Sequence, residues 1–304
     1  MNEEIDHNSL GAADAEQIMR EWIEQHPWVL IYFAALFAGS VISFIILMRQ
    51  VLVNKRLQKR PVTQWPIHPP DFALFICILV LWFIGSSTAV AHLIHWLADG
   101  PSVGTWAMLI GGLVMQIGMA YIFFWFHHLH WRADEGPINP RFMETMQAMK
   151  LGFFYFLASL PIIYFVGLIW GLLIDFVRAL GLPWEPSPQD SILIFRGMDS
   201  PLMILTMIVL AVIIAPIVEE IIFRAGIFRF FKGRVSFVAA ILISSLVFGL
   251  VHANIQSFAG LVAVGACLCV AYELSGNLKV AMFFHGFFNL NTLLLLLMLP
   301  EGVI

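Results

Sequence analysis

The chain has 304 residues, of which 60% are hydrophobic and only 12% are charged, and its mean hydropathy is +0.87. Soluble domains carry about 25% charged residues, so this composition excludes an ordinary soluble protein. The net charge of −4 gives no indication of nucleic-acid binding, and no nucleic-acid partner is expected. The apolar residues fall into runs of about 20 residues, enough to span a hydrocarbon core of about 30 Å. We therefore predict an all-α fold, a polytopic transmembrane helical bundle embedded in the lipid bilayer.

The chain divides into an N-terminal tail and eight predicted transmembrane spans. Residues 1–26 are acidic and polar rather than basic and then apolar, so they do not resemble a cleavable signal peptide. The first four spans lie within residues 27–177 and contain no recognised motif. The last four lie within residues 201–299 and contain several ionisable side chains. The predicted spans are 27–48, 71–97, 103–126, 150–177, 201–231, 236–252, 257–274 and 278–299.

The Lys and Arg residues predict the orientation of the bundle, because cytoplasmic loops are enriched in both. Twelve of the sixteen fall in loops on one side, three fall on the other, and Arg224 lies inside a span. Both termini, and with them the acidic tail, are therefore expected to be extracytoplasmic. The twelve are Arg49, Lys55, Arg56, Lys59, Arg60, Arg132, Arg141, Lys150, Arg229, Lys232, Arg234 and Lys279, and the three are Arg20, Arg178 and Arg196.

The fifth span carries two glutamates and an arginine in the sequence IVEEIIFRAG, residues 217–226. A charge at the centre of a membrane helix costs about 2.5–3.5 kcal/mol, so such residues are usually paired or functional. Glu220 and Arg224 are four residues apart and are predicted to pair on one face of the helix. Glu219 points about 100° away and has no partner at helical spacing, which suits a general base or acid. The alternative is that both glutamates share the arginine as a packing clamp.

Two later spans supply further polar side chains at helical spacing. Phe248 and His252 lie four apart in VFGLVHAN, and His285 and Asn289 lie four apart in FFHGFFNLN. Each histidine, taken singly, is also explained by a structural role. Counted from the predicted helix starts, His252 and His285 differ in depth by about 15 Å, which opposes their convergence unless a helix tilts or starts earlier. Together with Glu219, they could nevertheless form one site.

Three short motifs occur in order along these spans: EEIIFR, FGLVH and HGFFN fit the patterns EExxxR, FxxxH and HxxxN. Together they resemble the CPBP family (CAAX proteases and bacteriocin-processing enzymes), which are intramembrane endopeptidases. The sequence SGNL at residues 275–278 also looks like this family. The resemblance covers about residues 201–295 and implies that residues 201–299 form a catalytic transmembrane domain.

The resemblance also implies a role for each motif residue. Glu219 with His252 would activate a water molecule for attack on a peptide carbonyl, and His285 with Asn289 would stabilise the resulting oxyanion. Each donor in such an oxyanion site contributes about 2.7–4 kcal/mol. The supporting residues would be Glu220 and Arg224, which hold the site, and Phe248, which packs beside it.

The implied substrate is a membrane-bound or lipidated protein or peptide, with CAAX-type prenyl-protein processing as one class within the family. No cofactor is expected, although one glutamate and two histidines could also bind zinc. The chain has no HExxH pair and asparagine is a poor zinc ligand, so the metal-free mechanism is preferred. The alternatives are a zinc-dependent form of the same protease and a non-catalytic membrane transporter or immunity protein. We expect the chain in a bacterial inner membrane, since it shows no organellar targeting signal.

Overall fold

A computed structural model of the chain describes residues 12–53, 61–97, 100, 103–130, 136–181, 195, 197–198 and 200–300. These residues are predominantly helical and include no β-strand, which confirms the all-α prediction. Some predictions concern residues outside this part of the chain, namely the start of the acidic tail, the C-terminal end and six loop cations. The cations are Lys55, Arg56, Lys59, Arg60, Arg132 and Arg196.

Each of the eight predicted spans forms a helix, with bounds that differ from the prediction by a few residues. A further helix, α1, lies in the N-terminal tail, where none was predicted. The helices are α1 (Ala12–Gln25), α2 (Trp28–Met48, continued by π-helical Arg49–Val53), α3 (Pro69–Leu97), α4 (Val103–Leu129), α5 (Thr145–Ala179), α6 (Pro201–Lys232), α7 (Phe237–Val251), α8 (Phe258–Ser275) and α9 (Leu278–Met298).

Within the described part of the chain, seven helices are long and apolar enough to cross a membrane. The chain is accordingly an integral membrane protein. The remaining predicted span, α7, has 15 residues and is about 22 Å long, shorter than a hydrocarbon core of about 30 Å. The predicted end of this span at residue 252 agrees to within one residue, since α7 ends at Val251 and His252 lies in the following turn.

Helix α6 changes its hydrogen-bond register twice. Leu210–Ile214 and Ile221–Phe228 are π-helical, with α-helical residues before, between and after them. In the first stretch the N–H of Ala215 donates to the carbonyl of Leu210, five residues earlier. Pro216 follows at once, and its nitrogen carries no hydrogen for a helical bond. The sequence predicted this span as one helix but not the two register changes, each of which shifts the face that later residues present.

Helix α6 is central in the bundle. It packs against α4, α7, α8 and α9, while α3 pairs with α4 and α5 packs against α2, α8 and α9. A continuous set of buried apolar side chains joins these helices. This arrangement places the ionisable residues of α6 in the interior, where their charges need partners inside the protein.

One end of the bundle is formed by the last turn of α6 together with residues 61–68 and 136–144, and we call it the basic end. Arg229 is fully buried there. Its guanidinium donates hydrogen bonds to the carbonyls of Thr63, at 2.8 Å, and Gly136, at 2.9 Å. These bonds attach two separate chain segments to the end of α6.

An ion pair also stabilises the basic end. The ammonium of Lys232 lies 2.6 Å from a carboxylate oxygen of Glu273, a fully buried residue of α8 that the sequence analysis did not single out. Lys232 and Arg229 were both predicted to be loop cations. That prediction was wrong in its local detail, because both lie within α6 and make internal contacts.

Candidate active site

The predicted pair in the fifth span is present. Nη1 of Arg224 donates to Oε1 of Glu220 at 3.0 Å, and neither side chain is exposed. Nη2 of the same arginine donates to the carbonyl of Gly265 in α8 at 3.2 Å. The guanidinium carbon also lies 4.6 Å from the ring centroid of Phe248, a distance typical of a cation–π contact. The buried charge of Arg224 is thus balanced by a carboxylate, a carbonyl and an aromatic face.

Glu220 also orients His285. Nδ1 of the imidazole lies 2.9 Å from Oε1 of Glu220. Because a carboxylate can only accept, Nδ1 carries a hydrogen and donates a hydrogen bond to Oε1. The other ring nitrogen, Nε2, then faces Oε2 of Glu219 at 3.8 Å. The sequence assigned Glu220 a holding role through Arg224 alone, and this contact with α9 adds a second partner.

Glu219 is the carboxylate that borders the cavities. Its side chain is 17% exposed, and its Oε2 atom is buried without a hydrogen-bond partner among the described residues. An acceptor in this state costs about 1–3 kcal/mol relative to one that is satisfied. Glu219 therefore has an unused, strongly accepting oxygen beside an imidazole nitrogen.

His252 is placed by the end of α7. Its Nδ1 lies 2.7 Å from the carbonyl oxygen of Phe248, which can only accept, so Nδ1 donates and Nε2 of the neutral ring is an acceptor. The ring of Phe248 lies 4.8 Å from that of His252 and 5.6 Å from that of His285, centroid to centroid. Phe248 thus packs against both histidines, and Ala253 has a left-handed backbone with φ of 49° as the chain turns away.

The expected 15 Å difference in depth between the two histidines does not occur. Leu278, the first residue of α9, is 4% exposed, and its N–H donates to Oδ1 of Asn139 at 2.7 Å. Helix α9 thus begins beneath residues 136–144 rather than at the surface of the bundle. Counting depth from Leu278 as though it lay at that surface was the error.

Asn289 is held by the irregular part of α6. Its Nδ2 donates to the carbonyl of Ala211 at 2.7 Å. In the π-helical register that carbonyl would accept from residue 216, which is a proline without an N–H, so the asparagine supplies the missing donor. The close approach of α9 to α6 at this point requires a glycine, because a Cβ on Gly286 would lie 2.7 Å from the carbonyl oxygen of Val212. One amide hydrogen of Asn289 remains for another acceptor.

The four residues predicted to be catalytic line one cavity of about 570 Å³ between α4, α6, α8 and α9. A second cavity of about 230 Å³ lies between α3, α4, α6 and α7. Glu219, His252, Met115 and Gln116 line both. Gln116 was missed from the sequence, although a glutamine within an otherwise apolar span is itself a signal of a functional site.

Among the described residues, no group of three or more His, Cys, Asp or Glu side chains is placed to hold a metal ion. A catalytic zinc usually takes three protein ligands. Glu219 and His285 approach each other, whereas Glu220 is engaged by Arg224 and His285. The donor set described does not fit a catalytic zinc, and the metal-free mechanism stays a prediction.

Comparison with known proteins shows what the segment that carries this site is similar to. Residues 201–291 match the family model for "Type II CAAX prenyl endopeptidase Rce1-like" proteins. The resemblance to the CPBP family is confirmed for this segment. The segment contains all three CPBP motifs, and α2 to α5 lie outside it.

A relative from Bacillus subtilis (strain 168), named "Putative membrane peptidase YdiL", is 37% identical over 83 residues. The aligned part covers 27% of this chain and 34% of that relative, so the match spans about a third of the relative's length. No solved structure matches the chain. The match to the family model lies in the segment that carries the site.

Proposed function

We propose that the chain is an intramembrane endopeptidase that hydrolyses a peptide bond within the membrane, using a water molecule activated by Glu219 and His252. One observation carries this proposal. Oε2 of Glu219 is buried with no hydrogen-bond partner among the described residues, and it lies 3.8 Å from Nε2 of His285. Glu219 and both histidines line a cavity with room for a peptide segment. A bound water would satisfy the free carboxylate oxygen.

In the proposed reaction, Glu219 takes a proton from the water as the water oxygen attacks the carbonyl carbon. Nε2 of His252 accepts the other hydrogen of this water and orients it. The carbonyl oxygen becomes an oxyanion, which accepts hydrogen bonds from protonated Nε2 of His285 and from the remaining amide hydrogen of Asn289. The proton on Glu219 then passes to the leaving amine as the carbon–nitrogen bond breaks.

Glu220 and Arg224 position these groups without contacting the substrate. The Glu220 carboxylate accepts from Nδ1 of His285 and thereby fixes the orientation of the ring. Arg224 balances the charge of Glu220. The triad of arginine, glutamate and histidine keeps Nε2 of His285 directed at the site throughout the reaction.

The proposed substrate is a membrane-bound or lipidated protein, with prenylated CAAX-type C termini as the class that the family description names. The smaller cavity is lined largely by apolar side chains, among them Ile76, Val80 and Phe83 of α3. Such a lining suits an apolar segment or chain that arrives from the lipid.

The test is cleavage of a membrane-inserted reporter by the purified protein in detergent, with and without a prenylated C-terminal peptide as an alternative substrate. Glu219→Gln should abolish cleavage and retain the substrate, so that the trapped protein can be identified by mass spectrometry. Glu144→Gln, at an exposed residue before α5, is the matched control and should cleave normally. Full activity of Glu219→Gln would contradict the proposed mechanism.

A further inference from the structure

Gln116 is a buried polar residue of α4 that belongs to none of the three motifs. Its side chain is 8% exposed, and its Oε1 atom has no hydrogen-bond partner among the described residues. Buried side-chain oxygens are almost always hydrogen-bonded, and a free one in a membrane helix is costly. A buried Oε1 atom without a hydrogen-bond partner therefore needs an explanation other than packing.

The position of Gln116 supplies one. It lies where the two cavities meet, and both cavities also include Glu219 and His252. Gly112, four residues earlier on the same face of α4, continues the wall of the larger cavity without a side chain. The free oxygen of Gln116 therefore borders the space in which the scissile bond would lie.

A primary amide has an acceptor and two donors, and it can pair with the N–H and C=O that each residue of an extended peptide presents. Peptides bound in an extended form gain their affinity from such main-chain hydrogen bonds. We propose that Gln116 is a substrate-positioning residue whose Oε1 accepts a hydrogen bond from a backbone N–H of the substrate, beside the scissile bond. The inference rests on the proposed peptidase function.

Gln116→Met separates this role from a structural one, because methionine fills a similar volume and has no amide. Oε1 makes no hydrogen bond in the folded protein that the substitution would break, so the melting temperature should be unchanged or higher. A drop in melting temperature would indicate that the amide supports the fold instead. Met115→Leu is the matched control, since this neighbour lines the same two cavities without an amide.

The binding probe is an equimolar pool of apolar octapeptides labelled with fluorescein, together with the same pool fully N-methylated on its backbone amides. Binding is measured by fluorescence anisotropy in Glu219→Gln protein, which does not turn the peptides over. Adding Gln116→Met should weaken binding of the unmethylated pool about tenfold, the effect of leaving one buried hydrogen bond unmade. It should not change binding of the methylated pool, which has no backbone N–H to lose, and Met115→Leu should affect both pools alike.

Cleavage of the unmethylated pool by the wild-type protein is followed in parallel. Gln116-dependent binding without cleavage would refute the peptidase proposal and leave the positioning role intact. Equal binding of the unmethylated pool with and without Gln116→Met would refute the positioning role, even if the wild-type protein cleaves the pool. Failure of the unmethylated pool to bind saturably would also refute it.

Discussion

Adjacent glutamates of α6 have different surroundings. Glu220 is fully buried and its Oε1 accepts hydrogen bonds from Arg224 and His285, whereas Glu219 is 17% exposed and lines two cavities. Successive residues of a helix differ in direction by about 100°, enough to place one in the interior and the next in a cavity. The first glutamate is thus available for chemistry, while the second is committed to holding its neighbours.

Substitution of Glu219 should affect catalysis and little else. Glu219→Gln removes the base but keeps the shape of the side chain, and it breaks no hydrogen bond made by Oε2. Turnover of a membrane reporter should therefore be lost, while the melting temperature in the same detergent stays near that of the parent protein. A variant that is inactive and also strongly destabilised would show that Glu219 has a structural role.

Substitution of Glu220 should affect stability first. Glu220→Gln leaves Arg224 charged and without its carboxylate, and breaking a buried pair in this way costs about 3–5 kcal/mol. The variant should melt early or express poorly, and Arg224→Leu should behave similarly. The double variant Glu220→Gln with Arg224→Gln should recover part of the lost stability, because no lone charge remains. If Glu219→Gln is the least stable of these proteins, the division of labour is wrong.

Chelators should leave most of the activity intact. Nδ1 of His252 donates to the carbonyl of Phe248. This hydrogen bond orients the ring, and it would do so equally well for a base as for a metal ligand. The reaction is therefore expected to proceed with Glu219 and His252 alone as activating groups. The measurement is reporter cleavage before and after treatment with EDTA and 1,10-phenanthroline. Complete loss that zinc restores would establish the zinc-dependent alternative.

Local spacing predicted part of this site and could not predict the rest. The pair of Glu220 and Arg224 follows from an i,i+4 relationship, which is a property of one helix. The contact of Glu220 with His285 depends on how closely α9 approaches α6, and nothing in either segment alone specifies that distance. Gln116 was missed for the same reason, because its significance comes from two cavities formed by several helices.

The approach of α9 to α6 is governed by irregular backbone. The carbonyl of Ala211 lacks a π-helical donor because residue 216 is proline, and Nδ2 of Asn289 supplies one at 2.7 Å. Hydrophobic patterning identified both helices within a few residues. It assumes a regular period of 3.6 residues, however, and therefore gave no indication of the two π-helical stretches in α6.

The contact at Gly286 can be tested directly. Gly286→Ala places a methyl group about 2.7 Å from the carbonyl oxygen of Val212, and such overpacking typically costs about 1–3 kcal/mol. The variant should melt earlier and lose activity, because the displaced helix carries His285 and Asn289. Gly171→Ala is the control: its Cβ would meet open space in α5, so it should be neutral or stabilising by about 0.5–1 kcal/mol. Equal behaviour of the two variants would argue against a tight contact.

At the scale of the whole bundle, the basic end described above sets the expected orientation in the membrane. Arg141, Arg234 and Lys232 make contacts at that end, with Arg141 donating to the carbonyl of Leu274. By the positive-inside rule, we expect this end in the cytoplasm and both termini outside. Alkaline phosphatase fused to the C terminus should therefore be active, and green fluorescent protein in the same place should not fluoresce. The reverse pattern would show that the bundle is inverted.

The short helix α7 has a consequence for the surrounding lipid. With 15 residues it spans about 22 Å, and a bilayer meeting so short a segment must thin locally or draw polar groups inward. His252 lies immediately after α7, so such thinning is expected to bring headgroups and their hydration water close to the place where a peptide bond would be hydrolysed. In vesicles of increasing acyl-chain length, turnover should fall as the mismatch at α7 grows. The membrane itself then becomes part of the route by which water reaches Glu219.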